Sequence, residues 1–163
     1  MRHNTLRSIP ATPSRAHRAR ILIVDDRPTP GAVIGRVLED AGFAVEVVRD
    51  AASALRSFQA DAPDLVLCEA LLPDESGVDL CKTLRRQEHG RRAGVVMMTP
   101  ALDANLHRRA LAAGADDFLQ EPVSHEALVS RLRSHLASKR LDALLERVDE
   151  IEDEPTRPDR PLR

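Results

Sequence analysis

Four short apolar runs, each followed by acidic or hydroxyl side chains, most constrain what this chain can fold into. Residues 21–24 lead to Asp25 and Asp26, residues 65–68 to Glu69, residues 95–98 to Thr99, and a short run at Phe118 to Glu121. Runs of this length without polar alternation are typical of parallel strands buried on both faces. Because the carboxyl ends of parallel strands meet at one edge of a sheet, we expect one site there. That site would hold four carboxylates and one hydroxyl, with no lysine.

Helical periodicity fills the intervals between the apolar runs. Apolar residues recur at helical spacing in four segments: Val33 to Ala41, Ala51 to Phe58, Val78 to Leu84 and Leu106 to Ala113. A shorter strand at 45–48, a strand near 116–119 and a fifth helix beginning near Ser124 complete the pattern. Five strands that alternate with five helices, joined by right-handed crossovers, predict an α/β fold. Its doubly wound five-stranded parallel sheet would carry helices on both faces.

Composition narrows the class of protein further. The chain has 163 residues, 42% of them hydrophobic, which suits one domain with tails. A net charge of −2 does not favour nucleic acid as the main partner. Cys68 and Cys81 lack metal-ligand spacing and predict reduced core thiols in a cytoplasmic protein. No apolar stretch approaches the ~18 residues that a membrane span needs.

The two ends of the chain differ from its middle. Residues 1–19 carry arginines and prolines but no acid, which predicts a disordered basic arm. Residues 20–138 hold the alternating pattern of one domain, and residues 139–151 continue the last helix as an extension. Residues 152–163 contain three prolines among mixed charges and predict a disordered tail.

Order and spacing of these segments resemble the receiver domain of bacterial two-component response regulators, over about residues 19–138. The residues that carry the resemblance are Asp25-Asp26, the segment Asp64 to Glu69 with Leu72-Pro73 and Gly77, Met97-Met98-Thr99, Gly114 to Phe118, and Glu121-Pro122. A lone acidic pair after a strand would be weak evidence, whereas five such elements in order are specific. The resemblance implies the flavodoxin-like receiver fold, with an extended C-terminal helix in this chain.

The resemblance also implies a role for each position. In that family the acidic pair binds magnesium, and an aspartate at the position of Glu69 accepts phosphate from a histidine kinase. The hydroxyl at the position of Thr99 contacts the phosphoryl group, and a lysine at the position of Glu121 neutralises it. An aromatic residue at the position of Phe118 switches between rotamers as the output face changes. A divalent cation and a lysine together offset the negative charge that a phosphoryl group adds among the carboxylates.

Two of these positions depart from the family pattern. Glu69 replaces the acceptor aspartate and carries its carboxylate one methylene further out, where a displacement of about 1 Å can cost ~100-fold in rate. Glu121 replaces the lysine and reverses a charge. Two unit charges about 4 Å apart repel by about 4 kcal/mol at an effective dielectric constant of 20. We therefore expect a degenerate pseudo-receiver that does not hold a phosphoryl group, with Glu69 and Glu121 as degenerate acceptor and lysine positions.

The sequence leaves open what offsets the crowded carboxylates. Asp25, Asp26 and Glu69 are candidate ligands for Mg²⁺ or Ca²⁺, although no cofactor is certain. The cluster could instead be free of metal, with one carboxyl holding a proton because packed like charges raise a pKa. Arg27 follows the acidic pair and could also offset the charge, or it could be a surface arginine with no role.

The last helix carries a second pattern beyond the domain. Apolar residues at Ala137, Leu141, Leu144, Val148 and Ile151 step by four, three, four and three, as in a heptad seam. Two heptads are too short to dimerise alone, but attached to a folded helix they could extend a dimer face. A homodimer through the last helix and a solvated helical extension both fit this pattern.

Together these features favour a stand-alone receiver in a bacterial phosphorelay or two-component system. We expect a phosphorylation-independent protein–protein interaction module, not an enzyme, whose partner is a signalling protein or histidine kinase. Because no output domain follows in the sequence, direct nucleic-acid binding is not expected. The lack of a long apolar stretch likewise predicts no membrane association. The alternative is a phosphorylatable response regulator that accepts phosphate at Glu69 from a histidine kinase. A carboxylate-dependent hydrolase would have Glu69 as nucleophile but lacks an evident general acid.

Overall fold

Five parallel strands form the centre of the computed structural model, which describes residues 18–101 and 103–152. The strands are β1 Arg20–Val24, β2 Ala44–Val48, β3 Leu65–Glu69, β4 Gly94–Thr99 and β5 Asp117–Gln120. The helices are α1 Pro28–Asp40, α2 Ala51–Ala60, α3 Gly77–Arg85, α4 Ala104–Ala112 and α5 His125–Glu152. Strand order is β2-β1-β3-β4-β5, and every neighbouring pair is parallel. The predicted fold class is confirmed.

Two separate cores cover the two faces of the sheet. One contains Leu22 and Val24 of β1 together with the apolar faces of α2, α3 and α4. The other contains Ile21 and Ile23 of β1 together with Leu38 of α1 and the leucines of α5. Successive strand residues thus enter opposite cores, which explains why β3 and β4 read as continuous apolar runs.

Local signals set the helix boundaries. Asp50 precedes α2 and its carboxylate accepts a hydrogen bond from the Ser53 backbone N–H at 2.6 Å. Ser76 and Asp103 cap α3 and α4 in the same way. Gly42 lies just past α1 with a φ of 96°, a left-handed conformation that a residue with a Cβ rarely adopts. The three N-caps each stabilise a helix start by about 1 kcal/mol and fix where the preceding βα loops end.

Helix α5 continues well past the body of the domain. Its first half buries Leu128, Leu132 and Leu136 against the sheet. Its 28 residues correspond to about 42 Å, and the second half exposes apolar side chains such as Leu141. The extended C-terminal helix is therefore confirmed, while the division of the chain at residue 138 stays a prediction because the helix is continuous there.

The predicted arm and tail fall largely outside the described residues. Of the basic arm at 1–19, residues 1–17 lie outside, and Ala19 is buried in the core. Of the tail at 152–163, residues 153–163 lie outside. Cys68 and Cys81 are both free and buried, and burial raises the pKa of both thiols, as expected for core residues. Within the described ranges, no helix has the length and apolar character to cross a membrane.

Candidate functional site

Three carboxylates meet at the carboxyl ends of the strands. Asp25 directly follows β1, and its backbone N–H bonds to the carbonyl of Val48 at the end of β2. Glu69 is the last residue of β3, and Glu121 follows β5. All three point toward the position of a single side chain, that of Arg27. The predicted convergence of acids at this edge is thus present, with a cation at its centre.

The Arg27 guanidinium bonds to all three carboxylates. Its Nη2 lies 2.7 Å from Glu69 Oε2, 2.9 Å from Glu121 Oε1 and 3.1 Å from Asp25 Oδ2. Its Nε donates to Asp25 Oδ1 at 3.0 Å, so the contact with Asp25 is bidentate. Charge-assisted bonds of this kind are about twice as strong as neutral ones. We call these four residues, Asp25, Arg27, Glu69 and Glu121, the Arg27 cluster.

The local sequence explains why Arg27 reaches into the site. Pro28 is the first residue of α1, and a residue before proline is held in extended conformation. Arg27 adopts that conformation, with φ −80° and ψ 117°, and occupies the N-cap position of α1. Its backbone N–H also donates to Asp25 Oδ1 at 2.9 Å, which ties the turn to the acid. The β1–α1 turn therefore places the guanidinium beside the ends of β1, β3 and β5.

Burial raises the free-energy cost of holding charged side chains in this cluster. The exposed fraction of the side chain is 0% for Asp25, 4% for Glu69, 14% for Glu121 and 35% for Arg27. The pKa of Glu69 is raised to about 7, mainly because the carboxyl is buried and secondly because Glu121 is negatively charged. The positive charge of Arg27 partly opposes this shift. The acids in turn hold the pKa of Arg27 well above its ordinary value. A pKa near 7 leaves Glu69 partly protonated at neutral pH, which is one of the alternatives that the sequence left open.

One atom of the Arg27 cluster has no partner among the described residues. Glu121 Oε2 is buried and accepts no hydrogen bond, whereas Oε1 of the same carboxylate accepts from Arg27. An unpaired buried carboxylate oxygen costs free energy, on the order of 1–3 kcal/mol. One guanidinium is shared by three carboxylates, so the site lacks enough positively charged donors to pair every carboxylate oxygen.

Asp26 and Thr99 do not join the Arg27 cluster. Asp26 is exposed, whereas the neighbouring Asp25 is buried. The Thr99 hydroxyl is buried and is paired at 3.3 Å with the backbone N–H and carbonyl of Ala101. In the part of the chain that the structure describes, no three His, Cys, Asp or Glu side chains are arranged to hold a metal ion. Magnesium or calcium at Asp25, Asp26 and Glu69 stays a prediction, and it requires Arg27 to move away.

The aromatic position lies on the side of the domain formed by α4, β5 and α5. Phe118 is half-buried, and its ring lies 5.4 Å from the ring of His107 on α4. The neighbouring Asp117 contacts His135 at 2.8 Å and Arg131 at 3.1 Å, both on α5. Burial opposes ionisation of Asp117, but the hydrogen bonds from His135 and from the Phe118 backbone outweigh it and lower its pKa. These contacts join β5 to both helices of this face.

Fold and site together define a class: a doubly wound α/β domain with a cluster of acids at the carboxyl ends of β1, β3 and β5. The model of the response regulator receiver domain family matches residues 21–133. The chain therefore belongs to that family and is a receiver domain of two-component signalling.

Curated relatives agree with this assignment. The chain is 36% identical over 119 residues to the DNA-binding response regulator MtrA of Mycolicibacterium smegmatis, a match that covers 73% of this chain and 51% of MtrA. It is 35% identical over 121 residues to the transcriptional regulatory protein CseB of Streptomyces coelicolor, covering 74% and 50%. The chain spans about half the length of the curated relatives it matches.

Solved structures show the same fold. The chemotaxis response regulator CheY4 of Vibrio cholerae matches with a TM-score of 0.69 and 26% identity, covering 72% of this chain and 98% of CheY4. A CheY-like response regulator receiver domain protein from Methanospirillum hungatei matches with a TM-score of 0.73 and 26% identity, covering 77% and 98%. Both matches extend over nearly the whole of the compared chain.

The expectation of no direct nucleic-acid binding is contradicted by these relatives. The MtrA proteins are DNA-binding response regulators, and CseB is a transcriptional regulatory protein. The error has a physical cause: a net charge near zero is a sum over the whole chain and does not describe the surface of any one part. The chain matches only about half the length of these relatives. The lack of an output domain in this sequence is therefore no evidence against nucleic-acid binding.

Proposed function

We propose that this receiver domain is a phosphorylation-independent protein–protein interaction module of two-component signalling, degenerate in its acceptor chemistry. It would act in the cytoplasm, without enzymatic activity, on a histidine kinase or another signalling protein. The observation that carries the proposal is the Arg27 guanidinium, bonded at once to Asp25, Glu69 and Glu121. Such a cation takes the place that a metal ion and a lysine have in a receiver able to accept phosphate.

The state of Glu69 argues against phosphoryl transfer. Its Oε2 is engaged with Arg27 at 2.7 Å, and its Oε1 accepts from the Ala70 backbone N–H at 3.2 Å. The residue is 3% exposed, and the raised pKa leaves its carboxyl partly protonated at neutral pH. A nucleophile needs a free, ionised oxygen in line with the phosphorus atom. Both oxygens of Glu69 lack that freedom.

The Arg27 cluster also ties together segments that a receiver uses for switching. Arg27 connects the β1–α1 turn to the end of β3 and to Glu121, which begins the connection from β5 to α5. Holding that connection would keep the face formed by α4, β5 and α5 in one arrangement. A partner could then recognise this face, including Phe118 and His107, without a phosphorylation signal.

We predict that the protein takes up no phosphoryl group from acetyl phosphate, phosphoramidate or a histidine kinase in the presence of Mg²⁺. Intact mass measures the outcome, and a gain of one phosphoryl mass on Glu69 would establish the phosphorylatable alternative. The triple variant Arg27→Ala, Glu69→Asp and Glu121→Lys should take up phosphate. It removes the guanidinium from the site and introduces an aspartate at the acceptor position and a lysine at the lysine position. The matched control adds Thr99→Ala to the triple variant and should slow uptake again.

We also propose that the chain forms a homodimer through the extension of α5. The side chains of Leu141, Leu144 and Val148 are 57%, 58% and 50% exposed, and they lie along one heptad seam. Lys139 is held to Asp116 at 3.0 Å, so the extension leaves the domain in a defined direction. A row of large apolar side chains on a helix that already projects from a folded body favours a second copy as the occupant.

The double variant Leu144→Asp with Val148→Asp is expected to abolish association and leave the domain folded, because buried carboxylates in the seam would lack partners. Sedimentation velocity at tens of micromolar measures the change. The matched control is Leu111→Asp, an exposed leucine on α4 outside the seam, which should leave association unchanged. Sedimentation of the unaltered chain as a monomer would contradict the homodimer.

A further inference from the structure

The loop between α3 and β4 presents unpaired positive charge. Arg86, Arg91 and Arg92 are all exposed, and none forms a salt bridge with another described residue. With His89 they line an open cleft of about 700 Å³. Two acids, Glu88 of the same loop and Glu146 of α5, also line the cleft, together with Arg85, Gln87 and Gly90. We call this the arginine cleft.

A partly buried arginine at the end of α3 holds the loop of the arginine cleft in place. Arg85 donates from Nη1 to the carbonyls of Gly90 and Ala93, from Nε to the carbonyl of Gly114, and from Nη2 to Asp116. Gly90 is confined as well, because a Cβ there would lie 2.1 Å from the carbonyl oxygen of Leu84. The loop backbone is therefore organised before any ligand arrives, which lowers the entropic cost of binding.

The backbone at His89 supports a functional role for this loop. His89 has a φ of 64°, and it is the one non-glycine residue with positive φ among those the structure describes. Such conformations are uncommon for residues other than glycine and persist where the surrounding structure enforces them. The consecutive residues from Arg85 to Arg92 all line the same cleft.

We propose that the arginine cleft binds a small phosphorylated anion of the nucleoside diphosphate class. Planar guanidinium groups match the geometry of phosphate oxygens and bind them bidentately. The cleft volume of about 700 Å³ lies within the range of ~300–1,000 Å³ typical of small-molecule sites. This binding is independent of the proposed function, because the loop leads into the amino end of β4, opposite the Arg27 cluster.

The two acids in the cleft favour a compact ligand over a nucleic-acid strand. Glu88 and Glu146 would repel a backbone that carries a phosphate at every step. A nucleotide can instead set its phosphates against Arg86, Arg91 and Arg92 while its sugar hydroxyls or base N–H groups donate to the carboxylates. The acids thus supply selectivity that a uniformly basic surface would lack.

Isothermal titration calorimetry of the full chain with ADP tests the proposal. We expect saturable binding that weakens at least tenfold in Arg86→Gln, Arg91→Gln, Arg92→Gln, with the single variant Arg91→Gln weaker by threefold or more. The charge-matched control is Arg36→Gln, Arg108→Gln, Arg109→Gln, three arginines outside the cleft, which should bind as the unaltered chain does. Circular dichroism establishes that each variant is folded.

Further binding experiments compare ADP with pyrophosphate and with a nucleic-acid strand as ligands of the arginine cleft. Pyrophosphate should compete with ADP, while Glu146→Gln should leave pyrophosphate binding intact or tighter because it removes a repelling charge. Absence of saturable ADP binding, or equal loss in the control, would overturn the proposal. Tighter binding of a single-stranded oligonucleotide than of ADP, lost in the same triple variant, would replace it with a nucleic-acid site.

Discussion

Replacing Arg27 with alanine is expected to lower the free energy of unfolding by about 2–3 kcal/mol at pH 8. The change leaves three buried carboxylates without a counter-ion, and breaking a fully buried pair costs about 3–5 kcal/mol. We expect less than that range because the Arg27 side chain is 35% exposed, so water can partly solvate the acids. Urea denaturation of the two proteins measures the difference.

Two companion variants show whether the loss belongs to the Arg27 cluster. Arg36→Ala removes an exposed arginine that pairs with Asp40 on α1 and should cost no more than about 0.5 kcal/mol. Arg27→Lys keeps the charge but not the planar fork, so it should recover part of the stability. A loss at Arg27→Ala no larger than at Arg36→Ala would contradict the described geometry.

Divalent ions should distinguish Arg27→Ala from the unaltered chain. Once the guanidinium is gone, Asp25, Glu69 and Glu121 form an open set of oxygen ligands, so millimolar Mg²⁺ or Ca²⁺ should raise the melting temperature of the variant. In the unaltered chain Arg27 competes for the same oxygens, and we expect a much smaller shift. Equal shifts in both proteins would mean that the ion binds elsewhere.

Stability is expected to fall as the pH rises from about 5 to 8, by up to about 3 kcal/mol. Glu69 titrates near 7 in the folded chain against 4.5 ordinarily, so between those values the folded state binds more protons than the unfolded state. The free energy of unfolding then decreases with rising pH across this window, at about 1.4 kcal/mol for each unit of pKa difference. Urea denaturation across that pH range, with a chelator present, measures the profile.

A neutral side chain at position 69 should remove this dependence. Glu69→Gln keeps the shape of the residue without the titration, so its stability profile should be nearly flat between pH 5 and 8. Asp117 has a lowered pKa, so its contribution is present above its ordinary pKa and is lost only at more acidic pH. An unaltered chain whose stability rises between pH 5 and 7 would show that Glu69 is not held protonated.

The sequence was a good guide to the fold because its strands and caps carry strong local signals. The runs at β3 and β4 are buried at every position, so neither could be mistaken for a half-exposed strand. Gly42 and Gly114 mark helix ends through their positive φ, and Asp50 marks a helix start through its cap. Four of the five helices begin within about two residues of the predicted segments, whereas α1 begins five residues earlier, at Pro28.

The sequence was a weaker guide to the site. Asp25, Glu69 and Glu121 meet because each follows a strand of the sheet, which the pattern of runs made visible. Thr99 also lies at the end of a strand, but its hydroxyl is hydrogen-bonded to the backbone of Ala101. Strand order alone does not reveal such a local contact. Asp26 is exposed although its neighbour Asp25 is buried, a difference that the acidic pair in the sequence does not reveal.

The direction of Arg27 could not be read from its position alone. A long flexible side chain beside an acidic pair can enter a site or remain in water, and both interpretations stayed open. Two signals together would have favoured entry: Pro28, which holds the preceding backbone extended, and an excess of acids with no lysine to balance them. The arginines of the α3–β4 loop gave no such signal, since exposed arginines are common at protein surfaces.

The attachment of Arg27 to the backbone changes what controls this site. A metal ion drawn from solution occupies a site in proportion to its free concentration, so its occupancy follows chelators and ion supply. A side chain on the neighbouring turn is present at a high and constant effective concentration, in the millimolar range or above, whatever the medium contains. The positive charge beside Asp25, Glu69 and Glu121 is therefore part of the polypeptide from the moment it folds, and neither chelators nor ion supply can remove it.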